Sequence, residues 1–178
     1  MVFEEKASAA MNPWYALQVP TGEESETADA CRLSLAGVPV EIMLFTIERL
    51  KRYRGAWHKE IRPMFPGYLI FEGDPAVVCA HLSGLVAFHR VLKNVGIFKP
   101  LRDSEVEFLK SITDGDLCAR LSEGYIEGGE VFITKGPMVD LAGKIKKIDR
   151  HKRTAIVETE MLGRPVELKL GLEVIACR

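Results

Sequence analysis

The sequence has no closely spaced cysteine pair and no long apolar run. Its four cysteines lie far apart, at Cys31, Cys79, Cys118 and Cys177. Because structural zinc sites use ligands about two to four residues apart, we expect reduced, mostly buried thiols and no metal site. The longest apolar stretch, residues 76–88, contains a histidine and a serine and is too short to cross a bilayer. A metal-dependent fold and a membrane-spanning protein are therefore not expected.

The sequence also lacks the short motifs that mark common enzyme sites. It contains no GxGxxG, GxxxxGK[ST], GxSxG or HExxH pattern, and none of its four histidines has a partnered nucleophile or a metal-type spacing. We therefore expect a protein that is not an enzyme and needs no cofactor. The N-terminus has no charged, apolar and small-residue sequence of the secretory type, so we expect a cytoplasmic protein with no membrane partner. We also expect a monomer.

Charge is unevenly distributed, although the formal net charge is only -1. Residues 1–29 hold six acidic residues and one lysine, whereas residues 48–62 hold six basic residues and two acidic ones. Residues 144–153 hold six basic residues, one aspartate and a histidine. Two basic segments in a nearly neutral chain indicate surfaces that face a polyanion. Lysines and arginines that merely keep strand edges soluble are the alternative.

Capping boxes open two predicted helices. Thr21 is followed three residues later by Glu24, the spacing at which each side chain satisfies a backbone donor of the first turn. The helix after it buries one face, made by Ala28, Cys31 and Leu35. Gly37 follows where a left-handed stop is needed. A second capping box, Ser104 with Glu107, precedes a helix whose inward residues are Val106, Leu109 and Ile112.

Strands and one further helix surround these two helices. Asp74 followed by Pro75 predicts an N-cap and a short helix to about residue 84. The basic segment predicts a long hairpin that turns at Arg54-Gly55. These elements predict a compact α+β domain over residues 12–115, after a disordered tail at residues 1–11. The predicted strands are 14–19, 40–47, 67–71 and 88–93, the last followed by a turn at 94–96.

Residues 127–178 predict a small β-barrel, joined to the first domain by a linker at residues 116–126. Helical periodicity is absent, and five short strands are separated by glycine-containing turns. Ile145 and Ile148 can both face inward only if a bulge lies near Lys147. A barrel of this size has little core and commonly serves as a binding platform. The predicted strands are 131–133, 144–148, 154–161, 165–170 and 173–175.

Three segments in this order resemble the NusG family of transcription elongation factors over residues 12–178. They are the Trp14-Tyr15 start, the Pro63-x-Phe65-Pro66-Gly67-Tyr68 run and a KOW segment with Gly136-Pro137, Gly143 and Leu162-Gly163-Arg164. The resemblance implies an N-terminal domain of the family's NGN type, an antiparallel sheet flanked by helices, that binds RNA polymerase. It also implies a five-stranded KOW barrel after the linker. Residues 148–153 and 160–164 are similar to the LoaP-type branch, which implies a processive antiterminator that recognises an RNA hairpin in the nascent leader.

The resemblance places RNA polymerase contacts in the N-terminal domain. A proline-fixed turn with aromatic residues can provide a rigid apolar anchor for the polymerase clamp helices. Packing in the core is the alternative, equally weighted for Phe65 and favoured for Trp14. A second contact near the helix after Asp74 would use His81, although residues 79–81 lack the hydroxyl-rich triplet of RfaH-like members. The predicted polymerase-binding residues are Trp14, Phe65, Pro66, Tyr68 and His81.

Nucleic-acid contacts are predicted in both basic segments. RNA recognition needs cations for phosphates and planar donors for exposed bases, which residues 144–153 supply. We predict RNA binding by Lys144, Lys146, Lys147, Arg150, His151, Lys152, Arg153 and Arg164. Basic residues mixed with aromatic ones suit a single strand of nucleic acid, and in this family the 48–62 segment borders upstream and non-template DNA. The candidate contacts there are Arg49, Lys51, Arg52, Arg54, Trp57 and Lys59.

Other roles remain open on the same scaffold. A general elongation factor would bind a small-subunit ribosomal protein through Met161, Leu162 and Arg164. An RfaH-like member would read non-template DNA and can refold its barrel into helices, whereas the alternating residues 166–170 favour stable strands here. A ribosome-associated RNA-binding module without a polymerase role would leave the Phe65 to Tyr68 run unexplained.

Overall fold

The computed structural model describes residues 13–84 and 100–177. Within these residues the fold is α+β, as predicted, and no helix is long and apolar enough to cross a membrane. The helices are α1 (Glu24–Ser34), α2 (Pro75–Leu82) and α3 (Asp103–Ile112), and a 3-10 helix spans Val139–Lys144. The strands are β1 (Trp14–Gln18), β2 (Glu41–Met43), β3 (Thr46–Tyr53), β4 (Ala56–Pro63), β5 (Tyr68–Glu72), β6 (Cys118–Ala119), β7 (Ser122–Glu127), β8 (Glu130–Lys135), β9 (Ile145–Asp149), β10 (Thr154–Met161) and β11 (Arg164–Cys177). The predicted tail at 1–11, strand at 88–93 and turn at 94–96 lie outside the described residues.

A three-stranded antiparallel sheet, in the order β1-β5-β2, forms the centre of the N-terminal part. Successive side chains of a strand point to opposite faces. Leu69 and Phe71 of β5 therefore pack against α1 and α2, whereas Ile70 faces a second core that is shared with α3 and the C-terminal sheet. The helix residues in the first core are Ala28, Cys31, Val78 and Leu82.

Both predicted capping boxes are wrong in detail, although the buried helix faces are as predicted. Glu23 occupies the N-cap of α1, which frees the Glu24 carboxylate for bonds elsewhere. At α3, Glu105 rather than Glu107 accepts a hydrogen bond from the Arg102 amide, at 2.8 Å. Burial sets the helical period over several turns, whereas a cap depends on one local bond. The buried residues include Ala28, Cys31, Leu35, Val106, Leu109 and Ile112.

The basic segment forms the predicted hairpin. Residues 40–47, predicted as one strand, divide between β2 and β3, which lie in different sheets. β3 and β4 pair antiparallel over their whole lengths, and β6 pairs parallel with β3. Arg54 and Gly55 occupy the turn with φ angles of 49° and 82°, the left-handed conformation of a two-residue hairpin turn. The hairpin is called the basic hairpin below.

Five strands form the curled C-terminal sheet, in the order β8-β7-β11-β10-β9. The number agrees with the prediction, but two strands differ from it. Residues 116–126, predicted as a linker, contain β6 and most of β7. Residues 165–170 and 173–175, predicted as two strands, form the single strand β11. Gly171, the predicted break, is buried where β11 passes β3, and a Cβ atom on it would lie 2.5 Å from the Glu48 carbonyl oxygen.

β9 contains the bulge that Ile145 and Ile148 require in order to face inward together. Its register with β10 skips Lys146. Ile145 and Ile148 therefore both pack against the core, which strict alternation would forbid. Lys146 and Lys147 are exposed on the outer side of the curled sheet.

The curled C-terminal sheet, called the barrel below, packs directly on the N-terminal part. Buried side chains of α3 belong to the same hydrophobic cluster as those of β10 and β11. The Arg102 guanidinium lies 2.9 Å from the Glu160 carboxylate, and the Gly163 amide donates to the Glu105 carboxylate at 3.2 Å. The β10–β11 turn is thereby held against the start of α3.

Candidate functional site

The chain connects β4 to β5 by a tight turn at residues 64–68, called the anchor turn below. The Tyr68 amide donates to the Phe65 carbonyl at 3.1 Å. Gly67 has a φ of 80°, and a Cβ atom on it would lie 2.8 Å from the Thr21 hydroxyl oxygen. The turn therefore requires glycine at this position.

Glu24 fixes the anchor turn from α1. It is 4% exposed, and its carboxylate accepts hydrogen bonds from the Gly67 amide at 2.8 Å and from the Gly22 amide at 2.9 Å. Burial by itself would raise the pKa of Glu24, but the hydrogen bonds from the two amides outweigh it and hold that pKa below its usual 4.5. Sequence reasoning missed this role because the Thr21–Glu24 spacing also fits a capping box.

The anchor turn exposes part of the predicted polymerase contact. Tyr68 is 40% exposed, Pro66 is exposed, and Phe65 is half-buried against the shared core. Trp14 is buried, and its indole Nε1 donates to the Glu72 carboxylate at 3.0 Å. Of these residues, Tyr68 and Pro66 are the ones best placed to reach a partner.

His81 lies apart from the anchor turn. It is exposed on α2, and its Nδ1 lies 2.9 Å from the Val77 carbonyl oxygen one helical turn earlier. α2 packs on the sheet face opposite the one that carries Ile70 and Tyr68. A polymerase contact through His81 would therefore be a second, separate contact, and it stays a prediction.

A groove of about 550 Å³ separates the anchor turn from the β10–β11 turn. Phe65, Pro66 and Tyr68 line one side of it. The other side is lined by Met161, Leu162 and Arg164. The fold thus brings the predicted polymerase contact face to face with the predicted ribosomal-protein contact.

The β9–β10 turn, called the basic turn below, exposes part of the predicted RNA-binding set. Arg150, His151 and Lys152 are exposed there, and the Lys152 amide donates to the Asp149 carboxylate at 2.9 Å. The Arg150 guanidinium donates to the Gly129 carbonyl, which ties the basic turn to the β7–β8 turn. A guanidinium has several further N–H donors that can serve a phosphate.

Other residues of the predicted RNA-binding set contact side chains away from the basic turn or lie far from it. The Lys144 ammonium lies 4.9 Å from the centre of the Phe108 ring. Lys146 pairs with Glu167 at 2.7 Å, and this hydrogen bond raises the pKa of Lys146. Arg164, the first residue of β11, pairs with Met161 at the far end of the eight-residue β10, about 23 Å along that strand from the basic turn. The predicted RNA-binding residues therefore do not form one cluster.

The basic hairpin pairs part of its charge internally. Arg49 donates to Glu60 at 2.7 Å, and Lys59 lies 3.5 Å from Glu48. Tyr53 is 56% exposed near the hairpin tip, where the Arg54 guanidinium lies 5.1 Å from its ring centre. Within the two described ranges, three cations near the tip form no ion pair: Lys51, Arg52 and Arg54.

The two basic segments meet, which the sequence does not reveal because they are far apart along the chain. The Arg153 guanidinium lies 4.6 Å from the centre of a Trp57 ring, and its Nη1 is 3.5 Å from Glu173. Arg153 has a φ of 50°, and its carbonyl accepts a hydrogen bond from the Leu172 amide at 2.9 Å. The basic turn is thereby attached to the basic hairpin.

Known proteins are similar in sequence to this chain over nearly its whole length. The sequence model of the family described as "Transcription termination factor nusG" matches residues 12–110, which contain the basic hairpin and the anchor turn. The chain belongs to the NusG family. The transcription termination/antitermination protein NusG of Haemophilus influenzae is 30% identical, over 94% of this chain and 96% of that protein. Proteins of the same name from Treponema pallidum and Pasteurella multocida are 27% and 28% identical, over 88% and 89% of this chain and 95% and 92% of theirs.

Family membership bears out the class of function that was expected from the sequence. NusG proteins are transcription factors rather than enzymes, which agrees with the expectation that this chain is not an enzyme. The family model covers the N-terminal part, and the NusG relatives extend the similarity into the barrel. The LoaP-type branch, the KOW assignment and the individual contact residues stay predictions.

Proposed function

We propose that this NusG-family protein is an antitermination factor of the LoaP type. It binds RNA polymerase through the N-terminal part, residues 12–115, which acts as the NGN domain. It binds a nascent RNA hairpin mainly through the barrel, which acts as the KOW domain and includes β7 from Ser122. The names of its relatives, which refer to transcription termination and antitermination, support this class of function.

Polymerase binding is best supported at the anchor turn. Glu24 and Gly67 hold the turn rigidly, and Tyr68 presents a large aromatic surface beside the groove. Rigid aromatic residues at the edge of an apolar groove are typical anchors of protein interfaces, because little side-chain entropy is lost on binding. The partner is the clamp-helix part of the polymerase's large subunit.

The main support for RNA binding is the group of exposed cations at the basic turn. Arg150, His151 and Lys152 project from the turn that joins β9 to β10 at the end of the barrel, and all three are exposed. Cations neutralise phosphates, and a guanidinium or an imidazole can also stack on or bond to an unpaired base.

The basic hairpin favours a second candidate function, an RfaH-like reader of non-template DNA. Tyr53 and the cations around it suit a single strand, since an aromatic face accepts any base. The complete pairing of β10 with β11 favours a barrel that stays folded over one that becomes helical. A general elongation role, with Met161, Leu162 and Arg164 bound to a small-subunit ribosomal protein, would use the groove surface instead.

Titration of the full chain with a hairpin RNA tests the proposed function. The RNA is the leader hairpin of the operon that adjoins the gene, and scrambled RNA and duplex DNA are the comparisons. The full chain is required because the barrel shares its core with α3. We expect selective binding to the hairpin, and we expect the double change Arg150→Glu with Lys152→Glu to lower the affinity at least tenfold.

Lys135→Glu, on β8, is a single charge reversal that serves as the control for Arg150→Glu or Lys152→Glu alone; the Lys135 side chain is 74% exposed. We expect it to leave the affinity within about twofold of wild type. Binding that ignores sequence and collapses with added salt would indicate phosphate attraction alone. The non-template DNA or general elongation role would then be the better account.

A further inference from the structure

The contact between Arg153 and Trp57 orients the basic hairpin relative to the barrel. Trp57 pairs directly with Arg52 across the hairpin, and directly paired side chains lie on the same face. Arg52 therefore lies on the face that meets the basic turn, whereas Lys51 lies on the opposite face. The position of each hairpin cation relative to the barrel is thus fixed by strand register.

Backbone contacts hold the two segments at a constant spacing. The Leu172 amide donates to the Arg153 carbonyl at 2.9 Å. Beside it, a Cβ atom on Gly171 would lie 2.5 Å from the Glu48 carbonyl oxygen and 3.0 Å from the Arg49 Cα. The backbones of β11 and β3 therefore approach each other closely, beside the Leu121 side chain, which makes the junction between hairpin and barrel close and rigid.

Exposed cations lie on both sides of this junction. Arg52 and Arg54 are exposed on the hairpin, and within the described ranges they form no ion pair. On the turn, Lys152 is 80% exposed at its side chain and lies 3.8 Å from Asp149, a long surface pair that contributes little. Arg150 is also exposed. These four cations remain able to neutralise phosphates.

We propose that the barrel-facing side of the basic hairpin and the basic turn form one surface that binds the phosphates of a single RNA hairpin. The proposal rests on the proposed function and extends its RNA-binding site into the N-terminal part of the chain. Double-stranded RNA is recognised largely by shape and by contacts to its backbone. Two sets of cations at a fixed spacing match such a ligand better than they match a flexible single strand.

Charge reversal at two positions of the basic hairpin, on opposite faces, tests the proposal in the full chain, with the leader hairpin RNA as the probe. Arg52→Glu is expected to lower the affinity about tenfold and to reduce the slope of log affinity against log salt by about one. Arg62→Glu makes the same change of charge on the opposite face of the hairpin, at a residue outside the candidate contacts, and is expected to stay within about threefold of wild type. Both side chains are exposed, so folding should be unaffected.

Each other outcome has a distinct meaning. Equal losses from the two reversals would reflect long-range charge and overturn the composite surface. If Arg52→Glu binds like wild type while Arg150→Glu is weakened, the composite surface is wrong and the proposed function stands. If wild type shows no hairpin selectivity, the proposed function itself fails. If Arg52→Glu loses affinity for single-stranded DNA but not for the RNA, the hairpin belongs to a DNA site and the proposal is overturned.

A second variant tests the junction without any change of charge. Trp57→Ala removes the ring on which Arg153 lies, and we expect a several-fold loss of RNA affinity. The backbone contacts at Gly171 still hold the base of the hairpin, but its outer half is no longer held against the basic turn, so Arg52→Glu should have a smaller further effect in this background. Trp57→Phe keeps an aromatic face and should restore the effect of Arg52→Glu. An undiminished effect of Arg52→Glu in the Trp57→Ala background would overturn the role of the junction.

Discussion

At the scale of single residues, Glu24 determines the shape of a turn that lies far from it in sequence. Glu24→Ala removes the charged acceptor and leaves the Gly67 amide buried without it. We expect a loss of about 2 kcal/mol in the free energy of unfolding, since hydrogen bonds to charged groups contribute about 1.5–3 kcal/mol. Glu24→Gln keeps an acceptor oxygen and should lose less. Urea denaturation measures both losses.

The same carboxylate makes stability depend on pH. Burial opposes ionisation of Glu24, but the amide hydrogen bonds prevail and hold its pKa below 4.5 in the folded protein. Ionised Glu24 therefore contributes fully to folding stability at a pH above its ordinary pKa of 4.5. This contribution is lost as the pH falls through the lowered pKa of the folded protein. The stability difference between wild type and Glu24→Gln should shrink in acid. Glu26→Gln, an exposed change on the same helix, is the control, and a Glu24→Gln difference that stays constant in acid would contradict the assignment.

At the scale of secondary structure, the sequence predicts those elements whose buried residues are apolar and recur at a regular spacing. It does not predict β7, because this strand is buried through small and polar residues. The Ser122 hydroxyl accepts a hydrogen bond from the Met138 amide at 3.1 Å, and a Cβ atom on Gly124 would lie 2.5 Å from the Phe132 carbonyl oxygen. Residues of this kind resemble a linker when only their composition is considered.

The candidate site follows the same rule. The basic segments are visible in the sequence because charge is a local property. The ion pair of Arg49 with Glu60, the stacking of Arg153 on Trp57 and the role of Glu24 require partners that only the fold brings together. Composition therefore identifies where cations are concentrated, and strand register decides which of them remain available to a ligand.

Gly171 marks a close approach between strands rather than the end of one. A Cβ atom at this position would lie 2.4 Å from a Leu121 side-chain carbon and 2.5 Å from the Glu48 carbonyl oxygen. Gly171→Ala should therefore force β11 away from β3 and lower stability by about 1–3 kcal/mol. The melting temperature should fall by about 2–4 °C for each kcal/mol.

Gly143→Ala is the matched control for this change. Gly143 lies in the 3-10 helix before β9, and a Cβ atom there would meet nothing within 4 Å. Its melting temperature should stay close to that of wild type. Equal melting temperatures for the Gly171 and Gly143 variants would show that β11 and β3 can separate without loss of stability.

At the scale of the whole molecule, the barrel limits access to the anchor turn. Leu162 packs against the shared core, and Arg102 and Glu105 hold the β10–β11 turn in place. The groove of about 550 Å³ that remains admits a few side chains, whereas a stable protein interface buries about 800 Å² on each partner. If the polymerase binds the anchor turn as proposed, the β10–β11 turn has to move aside.

Leu162→Asn should make that movement easier. Leu162 has a φ of 56°, which asparagine tolerates, so the change removes apolar packing without adding backbone strain. In the closed arrangement, the β10–β11 turn packs beside the anchor turn. Destabilising this arrangement by about 1–2 kcal/mol should raise polymerase affinity about 5–30-fold, provided that it predominates in wild type. Titration with labelled polymerase measures this gain, and Tyr68→Ala in the same background should abolish it.

Two comparisons make the Leu162→Asn result specific to the groove. Leu33→Asn, on the 80% exposed Leu33 of α1, should leave polymerase affinity unchanged. Affinity for the RNA hairpin should also stay unchanged in Leu162→Asn, because Leu162 and the basic turn lie at opposite ends of β10, about 23 Å apart. A fall in polymerase affinity would instead mean that the β10–β11 turn is part of the polymerase-binding surface. The N-terminal part and the barrel would then bind the polymerase together.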